Sequence, residues 1–86
     1  MTNDSTALDL LADPTRRAIL DALVDGPKSV RMLTDLVGVS QPAVSQHLKK
    51  LRTGHLVTSH AEGASNVYSF DPAGLAPIRE MLDRYW

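Results

Sequence analysis

The chain has 86 residues, enough for one small domain. A domain of this size buries only about 60–65% of the surface it exposes when unfolded, and without cysteine it has no disulfide to reinforce a thin core. The apolar content of 43% argues against disorder, and the net charge of −1 excludes a chain that is basic throughout.

The N-terminus, MTNDSTALDLLADP, has no basic start, and Asp9 interrupts its apolar run. It does not read as a signal peptide, and no stretch reaches the ~20 apolar residues of a membrane helix. The expectation is a soluble, cytoplasmic protein with no membrane partner. Ser5 or Thr6 is expected to cap a first helix through ALDLLA, with Leu8 and Leu11 on one face. Asp13-Pro14 then restarts the chain as N-cap and first-turn proline. The second helix, PTRRAILDALV, turns Ile19, Leu20 and Leu23 inward and stops at Gly26-Pro27.

Ser29 caps a third helix, VRMLTDLV. Val30, Leu33 and Val37 follow a helical period there, and Leu36 widens the stripe. Gly38-Val39 makes a tight turn. Ser40 caps a fourth helix, SQPAVSQHLKKLR, with Pro42 in its first turn. Two short helices joined by a Gly-containing turn match a helix-turn-helix, and equally a generic pair of packed helices. His55 follows Gly54 at the helix exit, where a left-handed conformation is expected and His tolerates it better than most residues.

Beyond Gly54 the pattern changes. LVTSHAEGASNVYSF reads as a β-hairpin over about residues 56–60 and 66–70, with Gly63 in the loop. Asp71-Pro72 restarts a helix on which Leu75, Ile78, Leu82 and Tyr85 recur at helical spacing, with Met81 and Trp86 extending the apolar face. The expected order is α-α-α-α-β-β-α, a mainly helical winged helix-turn-helix forming one domain over 1–86.

The fourth helix carries the functional signal. At about 100° per residue, Val44, Leu48 and Leu51 share one arc and face the core. Pro42, Ser45, Gln46, Lys49 and Thr53 point the other way. Gln41 and His47 lie on the borders, and Lys50 and Arg52 flank the outward face. No acid occurs between Asp35 and Glu62, a window that holds Lys49, Lys50, Arg52 and the three histidines. Ordinary exposed faces mix both signs. Such a helix fits the major groove of double-stranded DNA, where Gln, Ser and Lys match base edges. Lys50 and Arg52 are placed for phosphate, and the amides after Ser40 for another.

The candidate DNA-binding residues are Ser40, Gln41, Pro42, Ser45, Gln46, His47, Lys49, Lys50, Arg52 and, on the wing, His60. Three cations can also make a merely solvated face. His47 can serve a backbone carbonyl as readily as a phosphate, and His60 can be a solvated strand-end residue. Enzymatic activity is not expected, because no Cys–His pair, Gly-rich phosphate loop or metal-spaced triad is present. No cofactor or metal is expected. The competing reading is a winged-helix protein-interaction module that does not touch DNA.

Taken together, LADPTRRAILDAL, SVRMLTDLVGVSQPAVSQHLKKLR and YSFDPAGLAPIREMLDRYW resemble the ArsR family of bacterial winged-helix transcriptional regulators, over roughly residues 8–86. The resemblance implies a homodimer held by the first and last helices, a repressor that releases promoter DNA when an inducer binds. On this chain the dimer residues would be Leu8, Leu11, Leu75, Ile78, Met81, Leu82, Tyr85 and Trp86. Three departures stand out. VRMLTDLV lacks the cysteines many relatives carry, the last helix has no His, and the wing HAEGASN lacks the family's common arginines. Metal or thiol sensing is therefore not expected. Control by abundance, by a partner protein, or by a small-molecule inducer at the dimer helices is expected instead.

Overall fold

The computed structural model describes residues 3–86, with side chains from residue 7 onward. Its elements are α1 (Asn3–Ala12), α2 (Pro14–Val24), β1 (Lys28–Ser29), α3 (Val30–Val37), α4 (Gln41–Thr53), β2 (Val57–Glu62), β3 (Ser65–Phe70), a 3-10 turn (Pro72–Leu75) and α5 (Ala76–Tyr85). The winged helix-turn-helix order is as expected, with one added strand.

Local chemistry explains most of the boundaries. The Asp13 carboxylate accepts from the Arg16 amide at 2.9 Å and opens α2, with Pro14 in the first turn. Ser29 Oγ accepts from the Met32 amide at 3.2 Å, and Ser40 Oγ from the Ala43 amide at 3.3 Å. Each supplies a partner for a helix-start N–H that has none within its helix. Gly38, at φ 79°, ends α3 in the left-handed region that a side chain would strain.

The exit of α4 is a Schellman closure. The His55 amide bonds Arg52 O at 3.0 Å, and the Leu56 amide bonds Leu51 O at 2.9 Å. His55 stands at φ 62°, where glycine is usual, as its position after Gly54 predicts. Leu51 and Leu56, which accompany this turn, are both fully buried.

The core gathers Leu10 from α1, Ile19, Leu20 and Leu23 from α2, and Leu33 from α3. Val44, Leu48 and Leu51 come from α4, with Leu56 and Val57 from the wing. Leu33, Val44, Leu48 and Leu51 have no exposed surface. Each such side chain contributes about 1.5–3 kcal/mol by leaving water. Burial of three of them from α4 locks that helix against the domain.

Several expectations change. The first helix already runs at Asn3, so Ser5 and Thr6 lie within it and not at its start. Its inward residues are Ala7 and Leu10, because packing against α2 and α5 sets its rotation. Leu36 is 61% exposed, since Leu33 alone of α3 enters the core fully. The wing is a three-stranded sheet, not a lone hairpin. Lys28 pairs with Tyr68 and Ser29 with Val67, giving the antiparallel order β1-β3-β2. The hairpin strands are also longer than expected, and Leu56 belongs to the α4 exit instead of β2.

The last helix, expected to be continuous from Pro72, is broken. Asp71 Oδ1 accepts from the Ala73 amide at 3.0 Å and starts a 3-10 turn, and α5 begins at Ala76. Leu75, expected on the outward apolar face, instead lies in that turn and packs against the core. Leu11 likewise packs partly on the core. Among the described residues, no helix is long and apolar enough to cross a membrane.

Candidate nucleic-acid interface

The outward face of α4 follows from its inward one. With Val44, Leu48 and Leu51 buried, the helical period leaves Gln41, Pro42, Ser45, Gln46, Lys49, Lys50 and Arg52 exposed. Ser40, exposed at the cap, sits at the start of the same helix. This face carries no acid. Among the described residues, Lys49, Lys50 and Arg52 make no salt bridge. Their charge is therefore uncompensated at contact range, while the net charge of the chain is −1.

Lys50 and Arg52 stand in the last turn of α4, where cations also favour the negative end of the helix dipole. The N-terminal half carries Gln41, Ser45 and Gln46, neutral groups that both donate and accept. The helix thus divides into a half suited to reading base edges and a half suited to phosphate.

His47 lies at the border, half-buried. Its partner is neither a carbonyl nor solvent alone. Its Nδ1 lies 3.5 Å from Arg16 Nη1. A guanidinium only donates, so this contact requires the tautomer in which Nδ1 accepts and Nε2 carries the proton. The same Arg16 donates from Nε to Leu10 O at 2.9 Å and from Nη2 to Asp9 O at 3.1 Å.

Arg16 therefore joins three helices. It closes the C-terminal carbonyls of α1 and steadies α4 through His47, while its own amide is held by Asp13. The bond from the Arg16 amide holds the Asp13 carboxyl below its ordinary range; desolvation opposes this, and the Arg16 charge adds to the lowering. Sequence reasoning missed Arg16. The only available signal is its place three residues after a capping Asp, which describes the cap and not the far end of the side chain.

The wing extends from the exit of α4. Its turn is Gly63-Ala64, with a positive φ of 62° at Gly63 and none at Ala64, as two-residue hairpins with Gly in the first central position require. His60 is exposed on β2, and its Nε2 lies 3.3 Å from Glu62 Oε2 on the same strand face. An acid thus stands beside the imidazole assigned to phosphate. The structure brings Ser40 to Arg52 onto one helix and leaves His60 separate, on the wing. His47, His55 and His60 do not converge: among the described residues, no group of three or more His, Asp or Glu side chains could hold a metal ion.

Besides Val24, Met32 and Leu36 on α2 and α3, exposed apolar side chains lie on α1 and α5. Leu8 is 42% exposed and Leu82 49%, while Tyr85 and Trp86 are almost wholly in water. Ile78 and Met81 are half-buried on the same helix, which packs against α1.

Comparison with known proteins identifies the family and the fold. Residues 13–59 match the model described as bacterial regulatory protein, arsR family. The chain is 51% identical over 80 residues to the HTH-type transcriptional regulator Rv2034 of Mycobacterium tuberculosis, covering 93% of this chain and 75% of that protein. It is 37% identical over 79 residues to the arsenical resistance operon repressor of Staphylococcus xylosus, covering 92% and 76%. It spans about half the length of some other curated relatives. The crystal structure of NolR from Sinorhizobium fredii superposes with a TM-score of 0.79 at 34% identity, over 98% of this chain and 84% of that one. The chain belongs to the ArsR family of bacterial regulatory proteins: it is a DNA-binding winged helix-turn-helix transcriptional regulator and not an enzyme.

Proposed function

We propose that this regulator acts in the cytoplasm as a homodimeric repressor. Its two α4 helices would occupy successive major grooves of an inverted repeat, about 34 Å apart. The observation that carries the reading is the unpaired, acid-free outer face of α4, mounted on a helix whose inner face is fully buried. Gln41, Ser45 and Gln46 read bases. Lys49, Lys50 and Arg52 hold phosphate, with the Ser40 terminus and His60 adding weaker contacts. Pro42 packs at the groove floor. His47 acts mainly by orienting α4 through Arg16.

Dimerisation falls to the apolar faces of α1 and α5, through Leu8, Leu82, Tyr85 and Trp86, with Ile78 and Met81 beneath. Such self-complementary faces suit a two-fold axis. Repression is supported by a relative that is named a repressor. An inducer would be a small molecule that weakens the DNA-bound state.

The test begins with selection of bound duplexes from a random DNA pool, followed by salt titrations on the selected sequence. Lys49→Ala or Arg52→Ala removes two phosphate contacts per dimer and should flatten the logarithmic salt slope by about 1.8. Gln46→Ala should keep the slope and shift base preference by about 1–3 kcal/mol. Equal loss on selected and random DNA for Gln46→Ala would refute base reading. The absence of any salt-sensitive DNA binding would favour the protein-interaction module.

A further inference from the structure

A groove of about 580 Å³ runs between the C-terminal half of α4 and the end of α1, lined by Leu10, Gln46, Lys49, Lys50, Thr53 and Gly54. Its size is that of small-molecule sites, about 300–1,000 Å³. The four side chains from α4 fall at helical spacings of three and four, so they form one stripe facing Leu10. Gly54 shapes the floor. A Cβ there would collide with the Leu10 side chain, so the missing methyl is what lets Leu10 lie against the helix end.

Two chemistries meet in this groove. Its exposed lining is largely apolar, made of the side-chain stems of α4 and the edge of the otherwise buried Leu10, and Lys49 and Lys50 each bring an ammonium group to it. No acid is among the lining residues, and neither lysine has a salt-bridge partner among the described residues. A nucleic-acid phosphate matches the ammonium groups but leaves the apolar lining uncovered. A ligand with an anionic head and a hydrocarbon or aromatic body matches both.

We propose that this groove is an effector site for a small amphipathic organic anion, such as a medium-chain carboxylate or an aryl sulfonate. Its head engages Lys49 and Lys50, and its body lies on Leu10 over Gly54. Because Lys49 and Gln46 also face DNA, an occupied groove and a bound duplex exclude one another. That second statement rests on the DNA-contact reading of α4; the binding of the anion does not.

The experiment therefore has two stages. Calorimetry on the full chain without DNA measures decanoate, with 8-anilinonaphthalene-1-sulfonate fluorescence as a second probe. Acetate supplies the charge without the body. Decanoate should bind saturably at or below roughly 1 mM, and acetate should not. The Lys49→Ala/Lys50→Ala double variant removes the anchor and Thr53→Phe fills the groove while keeping both lysines. All three positions are solvent-facing, and each variant should weaken decanoate roughly tenfold or more. No saturable binding, or binding that both variants leave unchanged, overturns the site. In the second stage, fluorescence anisotropy follows a labelled duplex of about 30 base pairs. Release of the duplex by decanoate from wild type, and not from Thr53→Phe, supports the exclusion. Anion binding without release overturns the exclusion alone. Anion binding by a protein that never binds duplex overturns the DNA reading and leaves the groove standing.

Discussion

Gly74 offers a sharp test of how the wing and the last helix are joined. The residue is buried in the 3-10 turn. A Cβ built there would lie 2.7 Å from the His55 carbonyl carbon and 2.9 Å from Leu56 Cδ2, with the His55 oxygen nearer still. That carbonyl has little freedom to move. The His55 amide is tied to Arg52 O at 3.0 Å, the Leu56 amide to Leu51 O at 2.9 Å, and the Asp71 amide to Leu56 O at 2.9 Å. The turn must shift instead, lifting Leu75 off the core and carrying α5 with it. Gly74→Ala is expected to cost about 1–3 kcal/mol, as overpacking against fixed backbone does. Total stability for 86 residues is on the order of 4–13 kcal/mol. Gly54→Ala is the comparison. Its Cβ meets only the end of the Leu10 side chain, which can rotate, and the Gly54 backbone at φ −82° suits alanine. Alanine also stiffens the unfolded chain by about 0.4–1 kcal/mol in its favour. Urea unfolding at fixed protein concentration measures both. A loss below about 0.5 kcal/mol for Gly74→Ala, or one no larger than that of Gly54→Ala, would refute the close-approach reasoning.

Two further outcomes follow from the interior of the domain. Asp13 has its folded pKa lowered below 3.8, so its charge stabilises the fold above about pH 4 and loses that effect as pH falls through the lowered value. Asp13→Asn keeps a capping side chain without the charge; its deficit against wild type should be largest near neutrality and vanish in strong acid, and a deficit constant with pH would sink this. Leu48→Ala empties a fully buried site under α4 and should cost about 2–5 kcal/mol by denaturant unfolding, a loss below ~1 kcal/mol showing that the recognition helix is anchored elsewhere.

Much of this molecule is legible from its sequence because it is local. Asp13, Ser29 and Ser40 stand three residues before the amides they accept from, so α2, α3 and α4 announce their own starts. The spacing of Val44, Leu48 and Leu51 divides α4 into a buried and an exposed face without reference to the rest of the chain. The left-handed His55 follows from its place after Gly54. The acid-free window around Lys49, Lys50 and Arg52 is a property of composition alone.

Other features exist only when distant segments meet. Lys28 and Ser29 become a strand because β3 lies beside them, and two residues carry no periodicity of their own. The rotation of α1, which buries Ala7 and Leu10 and exposes Leu8, is set by α2 and α5 and not by its weak internal pattern. The break at Leu75 has a local cause in the Asp71 cap, but its place is decided by Gly74 passing under the His55 carbonyl. Arg16 reaches His47 and the groove forms over Leu10 for the same reason: long side chains and helix ends find partners through space, where sequence separation sets no distance.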